Sequence, residues 1–306
     1  MPEFVIPQFD IGALAGADLA AQHALARAIG RACREVGFFA ITGHGVGDTV
    51  FEGAFRAAHE VFELPIDAKR ELARERHGHN RGYVGLGVEA LDEKTAADLK
   101  EAYNLVWTDE RTRPPNVWPP IAGWRERAQT WFDAVFAVGR RLHRAFAIDL
   151  GLDAGFFEDK IDRPMATLRF LHYPVEFAAD SPAGRPGAGV HTDYGNVTLL
   201  ATDGVGGLQV QRRDGHWIDV PPLPGGFVCN IGDCLMRWSN DVYRSTPHRV
   251  LPPPRERWSI AFFLDPNPDA LVSAIPSCVP AGETPRHAPI TAADYLRQRF
   301  EATYGG

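Results

Sequence analysis

The sequence predicts an α+β fold in which helices buttress a jelly roll or β-sandwich. Two observations carry this. Up to about residue 160 the apolar residues recur mostly at helical spacing, and beyond it the chain turns rich in Val, Thr, Gly, Pro and aromatics. In that second part short apolar runs alternate with clusters of Gly, Pro and Asp, the pattern of many short strands. Helices first and strands second point to an α+β arrangement around one sheet assembly. A chain of 306 residues with 45% hydrophobic residues can bury a sizeable core without disulfides.

The elements follow in order. Apolar runs predict strands over 4–6 and 38–42, the second leading into the turn Gly43-His44-Gly45. Between them, 18–36 is Ala-rich, with Leu19, Leu25, Ile29, Cys33 and Val36 at helical spacing. Further helices are expected over 49–62 and 124–150. The stripe Trp124, Ala128, Trp131, Val135, Leu142, Phe146 marks the long one as lying on an apolar surface. Residues 81–89 read as a Gly-rich loop and 98–101 as helix. Strands are expected over 166–172, 197–201, 208–212, 216–220, 227–231, 249–251 and 258–264, with Asp214-Gly215 a hairpin candidate and Gly232-Asp233 a turn ending a core strand. A last helix is expected over 291–303. No internal repeat is present. The expected organisation is a single domain, 1–306, with an N-terminal helix-and-strand region over 1–115 and a jelly-roll core over 162–265.

Composition narrows the function. The net charge of −7 and the lack of a basic stripe make nucleic acid a poor partner. No apolar run approaches a membrane span, and the N-terminus lacks a basic segment followed by an apolar stretch. The cysteines, Cys33, Cys229, Cys234 and Cys278, are scattered without CxxC spacing, which suits reduced thiols in the cytoplasm. A small-molecule substrate is the expected partner; nothing points to an oligomeric state.

The chemistry begins at Val190-His191-Thr192-Asp193-Tyr194. In an extended strand His191 and Asp193 project from one face. A second imidazole, His248, lies 57 residues on. Two His and one carboxylate on one face leave coordination positions open, the arrangement of non-haem Fe(II) oxygenases. Each residue alone has an ordinary reading as a surface or satisfied side chain. Arg257 and Ser259 are again two apart, on the next expected strand, and offer a guanidinium fork and a hydroxyl to one carboxylate.

This pattern, His191-x-Asp193, His248 and Arg257-x-Ser259, resembles the Fe(II)/2-oxoglutarate dioxygenases of the isopenicillin N synthase-like class. Gly37-Phe38-Phe39-Ala40-Ile41-Thr42-Gly43-His44-Gly45-Val46, Leu168 to Pro174, Gly206-Gly207-Leu208-Gln209-Val210 and Val228-Cys229-Asn230-Ile231-Gly232-Asp233 resemble further segments of it. The resemblance runs from near the N-terminus to about residue 265. It implies a double-stranded β-helix core with N-terminal and flanking helices. It implies that His191, Asp193 and His248 hold Fe(II), that Arg257 and Ser259 hold the far carboxylate of 2-oxoglutarate, and that Tyr173 adds a contact there. Leu171 replaces the Asn common in the class. O₂ would be consumed, succinate and CO₂ released, and ascorbate would stimulate turnover.

Within the class, Gly87-Val88-Glu89, Asp98-Leu99-Lys100-Glu101, Arg169 and His191 to Gly195 resemble the subgroup of the bacterial ethylene-forming enzyme and plant homoarginine 6-hydroxylases. That implies hydroxylation of a basic amino acid such as arginine or homoarginine, with Glu89 meeting a guanidinium and Arg169 and Tyr194 lining the substrate site. Glu89 also reads as a plain solvated loop carboxylate, and Asp92 and Glu93 are further candidates for its role. Ethylene formation and an iron oxidase or cyclase that does not use 2-oxoglutarate are the alternative activities. A jelly roll without catalysis and a zinc hydrolase also remain open, although Arg257 and Ser259 would have no task in the latter.

Overall fold

A computed structural model describes residues 6–91, 97–108, 114–175 and 186–304. Strand β1 (Gln8–Asp10) leads to helix α1 (Leu19–Glu35), capped by the Asp18 carboxylate, which accepts from the N–H groups of Ala20 and Ala21. Gly37, at φ +75°, turns the chain from α1 into β2 (Phe38–Thr42). A Cβ there would lie 2.3 Å from the Arg244 carbonyl oxygen, so this turn admits only glycine. Next come α2 (Asp48–Phe62), α3 (Ile66–Glu71), α4 (Arg74–His77), β3 (Gly82–Val84), β4 (Glu101–Val106) and α5 (Trp124–Asp149). The strand-rich part holds β5 (Thr167–Tyr173), β6 (Ala188–His191), β7 (Val197–Thr202), β8 (Leu208–Gln211), β9 (Trp217–Asp219) and β10 (Phe227–Ile231). It continues with α6 (Asp233–Trp238), β11 (His248–Val250), β12 (Arg257–Leu264), β13 (Leu271–Val272), β14 (Ile290–Thr291) and α7 (Ala292–Tyr304).

The strands form two main sheets. The large one has eight strands in the order β1-β2-β10-β7-β12-β5-β4-β3, and the small one runs β6-β11-β8-β9. Side-chain alternation divides the interior. From the large sheet, Phe39, Ile41, Leu168, Phe170, Leu199, Phe227, Ile260 and Phe262 pack on the helices. Their neighbours Phe38, Ala40, Leu171, Tyr173, Val228 and Ala261 pack with Ala188, Leu208, Val210 and Val250 of the small sheet. The large sheet is therefore covered by helices on one face and by the small sheet on the other, a jelly roll with flanking helices. The predicted stripe of α5 holds: Trp124, Ala128, Trp131, Val135, Leu142 and Phe146 are all buried. On that helix Gly139 permits close approach to β12, since a Cβ there would lie 2.6 Å from Leu264.

Several expectations need correction. The strand expected over 4–6 lies largely outside the described residues, which begin at residue 6; the first described strand is Gln8–Asp10. No helix forms over 98–101. Glu101 instead opens β4, which pairs along β5 from Glu101 opposite His172 to Val106 opposite Thr167. A polar run reads as helical locally, but the edge of β5 supplies the backbone partners that decide it. The Gly-rich segment contains β3, hydrogen-bonded to β4. The strand expected at 249–251 begins earlier, at His248. Asp233 opens the short helix α6 rather than closing a simple turn. The hairpin at Asp214-Gly215 is present between β8 and β9, with Gly215 at φ +85°. No helix among the described residues is long and apolar enough to cross a membrane, and the four cysteines are free and buried.

Candidate active site

Strands β6 and β11 are antiparallel neighbours, with His191 directly opposite His248. Their imidazole centroids are 4.2 Å apart. Asp193 reaches them differently from the extended His-x-Asp expected. Strand β6 ends at His191, and Asp193 lies two residues beyond, where its carbonyl accepts from the Asp233 N–H at 2.8 Å. Its Oδ1 lies 3.7 Å from Nε2 of each histidine. The three ligand atoms fall within 4.8 Å of one another, close enough for one ion.

The surroundings orient each donor. His191 Nδ1 donates to the Gly189 carbonyl at 2.8 Å, and His248 Nδ1 to the Thr246 carbonyl at 3.1 Å. A carbonyl can only accept, so Nδ1 carries the proton and Nε2 presents its lone pair. Asp193 Oδ2 accepts from Thr198 and from Asn230 Nδ2 at 2.7 Å, which leaves Oδ1 toward the imidazoles. Burial, then the adjacent His248, pushes His191 down to about 3, so it is neutral at pH 7 and able to ligate. Burial would raise Asp193, but the two imidazoles and the Asn230 and Thr198 hydrogen bonds outweigh it and hold the carboxyl below its usual range. An N,N,O donor set with its unshared pairs converging fits a divalent transition metal.

Arg257 opens β12 opposite Tyr173 of β5, and Ser259 sits opposite Leu171. Arg257 is only 1% exposed and Ser259 is fully buried. The guanidinium donates to the Val205 carbonyl at 3.3 Å and to Ser259 Oγ at 3.2 Å, and lies 4.7 Å from the Tyr173 ring centroid. Among the described residues no carboxylate pairs with it. A buried guanidinium without a counter-charge is costly, so these residues fit an anionic ligand such as the far carboxylate of 2-oxoglutarate.

A cavity of about 670 Å³ opens beside the triad, bordered by Arg169, Tyr194, Glu89, Phe263, Asp265 and Leu296 among others. Tyr194 lies under the Arg299 guanidinium, 4.7 Å from its ring centroid. Glu89 is 6% exposed and is not the solvated loop carboxylate its neighbours in sequence suggest. It pairs with Arg169, with Arg74 at 3.2 Å and with Lys100 at 3.8 Å. Burial would raise it, but Arg169, Lys100 and Arg74 bring it down to about 2. Arg169 and Glu89 thus meet each other at the cavity wall. Asp92 and Glu93 lie outside the described residues.

Sequence reading missed three residues of the site. Thr198 and Asn230 hold Asp193, and their signal is alternation, since each faces inward between helix-facing neighbours on β7 and β10. Asp265 borders the cavity. It continues the inward row Arg257, Ser259, Ala261, Phe263, which the spacing of two reveals. Desolvation, with the Asp193 charge, pushes Asp265 up to about 7.

Comparison with known proteins accords with this geometry. Residues 6–121 match the family described as the N-terminal region of non-haem dioxygenases in morphine synthesis. Residues 165–266 match the 2OG-Fe(II) oxygenase superfamily. The chain is 35% identical over 315 residues to the 2-oxoglutarate-Fe(II) type oxidoreductase hxnY of Emericella nidulans, covering 98% of this chain and 90% of that protein. It is 34% identical to a homoarginine-6-hydroxylase of Oryza sativa subsp. japonica over 81% of this chain and 79% of that one. The crystal structure of a full-length Neurospora crassa protein in complex with alpha-KG and thymine is similar at a TM-score of 0.90 and 34% identity, over 99% of this chain and 98% of that one. A paired histidine–aspartate–histidine cluster and a buried arginine, carried on this two-sheet scaffold and matched along nearly the whole chain, make this protein an iron- and 2-oxoglutarate-dependent oxygenase of the 2OG-Fe(II) superfamily.

Proposed function

We propose that the protein hydroxylates a small nitrogen-containing molecule, with His191, Asp193 and His248 holding Fe(II) and Arg257 and Ser259 holding 2-oxoglutarate beside Tyr173. The observation that carries this reading is the buried Arg257, which no carboxylate pairs with among the described residues, on the strand β12 whose Phe263 borders the cavity beside the triad. Bound iron and 2-oxoglutarate supply the activation of O₂, with release of succinate and CO₂. The chain's own residues do the positioning. The Gly189 and Thr246 carbonyls lock the imidazoles, and Thr198 and Asn230 leave Asp193 one free oxygen. The cavity walls keep the substrate against the metal side and away from bulk water.

Two substrate classes have support. Similarity to the rice homoarginine-6-hydroxylase favours arginine or homoarginine. Similarity to the Neurospora crassa complex favours a small planar ring such as thymine. The internal pairing of Glu89 counts against a guanidinium bound at that residue. The test is succinate formation by protein supplied with Fe(II), ascorbate, O₂ and 2-oxoglutarate, offered arginine, homoarginine or thymine. Succinate rising with one of them, together with a mass gain of one oxygen, is the expected result. Ethylene in the headspace instead would make it an ethylene-forming enzyme. No succinate from iron-loaded protein would overturn the reading in favour of an oxidase that does not use 2-oxoglutarate.

A further inference from the structure

We propose that Asp265 is the substrate-binding carboxyl of the cavity, accepting nitrogen-bound hydrogens from the substrate. This deepens the hydroxylase reading and rests on it. Asp265 follows β12 directly and borders the cavity. Arg257 and Asp265 occupy opposite ends of one inward row, roughly 25 Å apart at the usual strand rise. A cosubstrate gripped at Arg257 therefore does not reach Asp265, which faces a different molecule.

The carboxyl is held by construction. It lies against the backbone of Gly195, where a Cβ would come within 1.5 Å of its Oδ1. The residues after it are anchored: the Pro266 carbonyl accepts from the Met165 N–H at 3.1 Å, and the Asn267 N–H donates to the Lys160 carbonyl at 2.7 Å. Asn267 Nδ2 donates to Asp162 at 2.6 Å. Yet among the described residues no group donates a hydrogen bond to the Asp265 carboxyl and no cation pairs with it. A carboxyl drawn out of bulk water is ordinarily satisfied by a donor, and leaving one without is costly. Glu89, another carboxylate that borders the cavity, has three cations of its own chain.

In its ionised form the carboxyl accepts and does not donate, and a partner that brings hydrogens, above all a cation, favours that form. Guanidinium, ammonium and ring N–H groups do so, and a paired geometry with two oxygens suits the first best. Tyr194, Phe263 and Leu296 supply apolar surface for the rest of the molecule.

The test is calorimetric titration of anaerobic protein loaded with Fe(II) and 2-oxoglutarate, using arginine, homoarginine and thymine as probes. Wild type, Asp265→Asn and Asp265→Ala are compared, with the 2-oxoglutarate dissociation constant measured on the same samples. Wild type is expected to bind at least one probe, and both variants to bind it at least tenfold more weakly, with 2-oxoglutarate affinity within twofold. Loss confined to arginine and homoarginine assigns a cationic nitrogen, and loss of thymine assigns a ring N–H. Asp265→Asn binding every probe as wild type does would overturn the proposal. A matching loss of 2-oxoglutarate affinity in both variants would also overturn it, since Asp265 would then only hold the cavity together. Wild type that binds 2-oxoglutarate but none of the probes sinks it as well. Wild type that fails to bind 2-oxoglutarate removes the hydroxylase reading itself.

Discussion

Arg257 is a full charge at 1% exposure whose nearest partners are a hydroxyl, a carbonyl and an aromatic face. Such a group is stabilised only when an anion arrives, and removing it strips the anion of its charged hydrogen bonds. Losing one partner of a buried charge pair costs about 2–5 kcal/mol. Arg257→Ala is therefore expected to raise the KM for 2-oxoglutarate at least tenfold while Fe(II) affinity stays near wild type. Steady-state kinetics with varied 2-oxoglutarate and a metal titration check this. An unchanged KM would mean that the anion site lies elsewhere.

The Glu89 cluster works between elements: Arg74 comes from α4, Arg169 from β5, and Lys100 from the residue before β4. Its carboxyl falls from an ordinary value of 4.5 to about 2 in the folded chain. A folded pKa below the unfolded one contributes stability that is complete above the unfolded value and is lost as pH falls through the folded value. The contribution is on the order of 3 kcal/mol. Chemical denaturation of wild type and Glu89→Gln should show a gap that is constant above pH 5 and closes steadily as pH falls toward 2. A gap independent of pH across that range would show that the ion pairs do not stabilise the loop against α4 and β5.

At the scale of the molecule, the metal triad is assembled from the small sheet and the loop after β6, while Thr198, Asn230 and Arg257 come from the large sheet. The complete site exists only when the two sheets are packed, so its ligands bind the folded chain alone. At 100 times their dissociation constant such ligands stabilise by about 2.7 kcal/mol, a rise of roughly 4 °C in Tm for a chain of this size. Fe(II) with 2-oxoglutarate should produce that shift in a thermal melt, EDTA should reverse it, and His191→Ala should lack the metal part of it. A shift that survives in His191→Ala would place the ion away from the triad.

Much of this architecture is legible along the chain because it is periodic or local. The stripe from Trp124 to Phe146, the alternation from Arg257 to Phe263 and the spacing of His191, Asp193 and His248 are written in residues whose roles follow from their intervals. What interval cannot carry is the identity of a neighbour distant in sequence. Asp193 lies past its strand, held by an N–H 40 residues later, and Glu101 became strand because β5 offered an edge. Glu89 reads as a carboxylate ready for a guanidinium until Arg74, Lys100 and Arg169 are brought against it. Asp265 draws no notice in the sequence until the fold sets it on the cavity wall, where no described residue donates to it. The charge a buried group retains for a ligand is what remains after its tertiary neighbours have been satisfied, and that remainder is set by packing rather than by spacing.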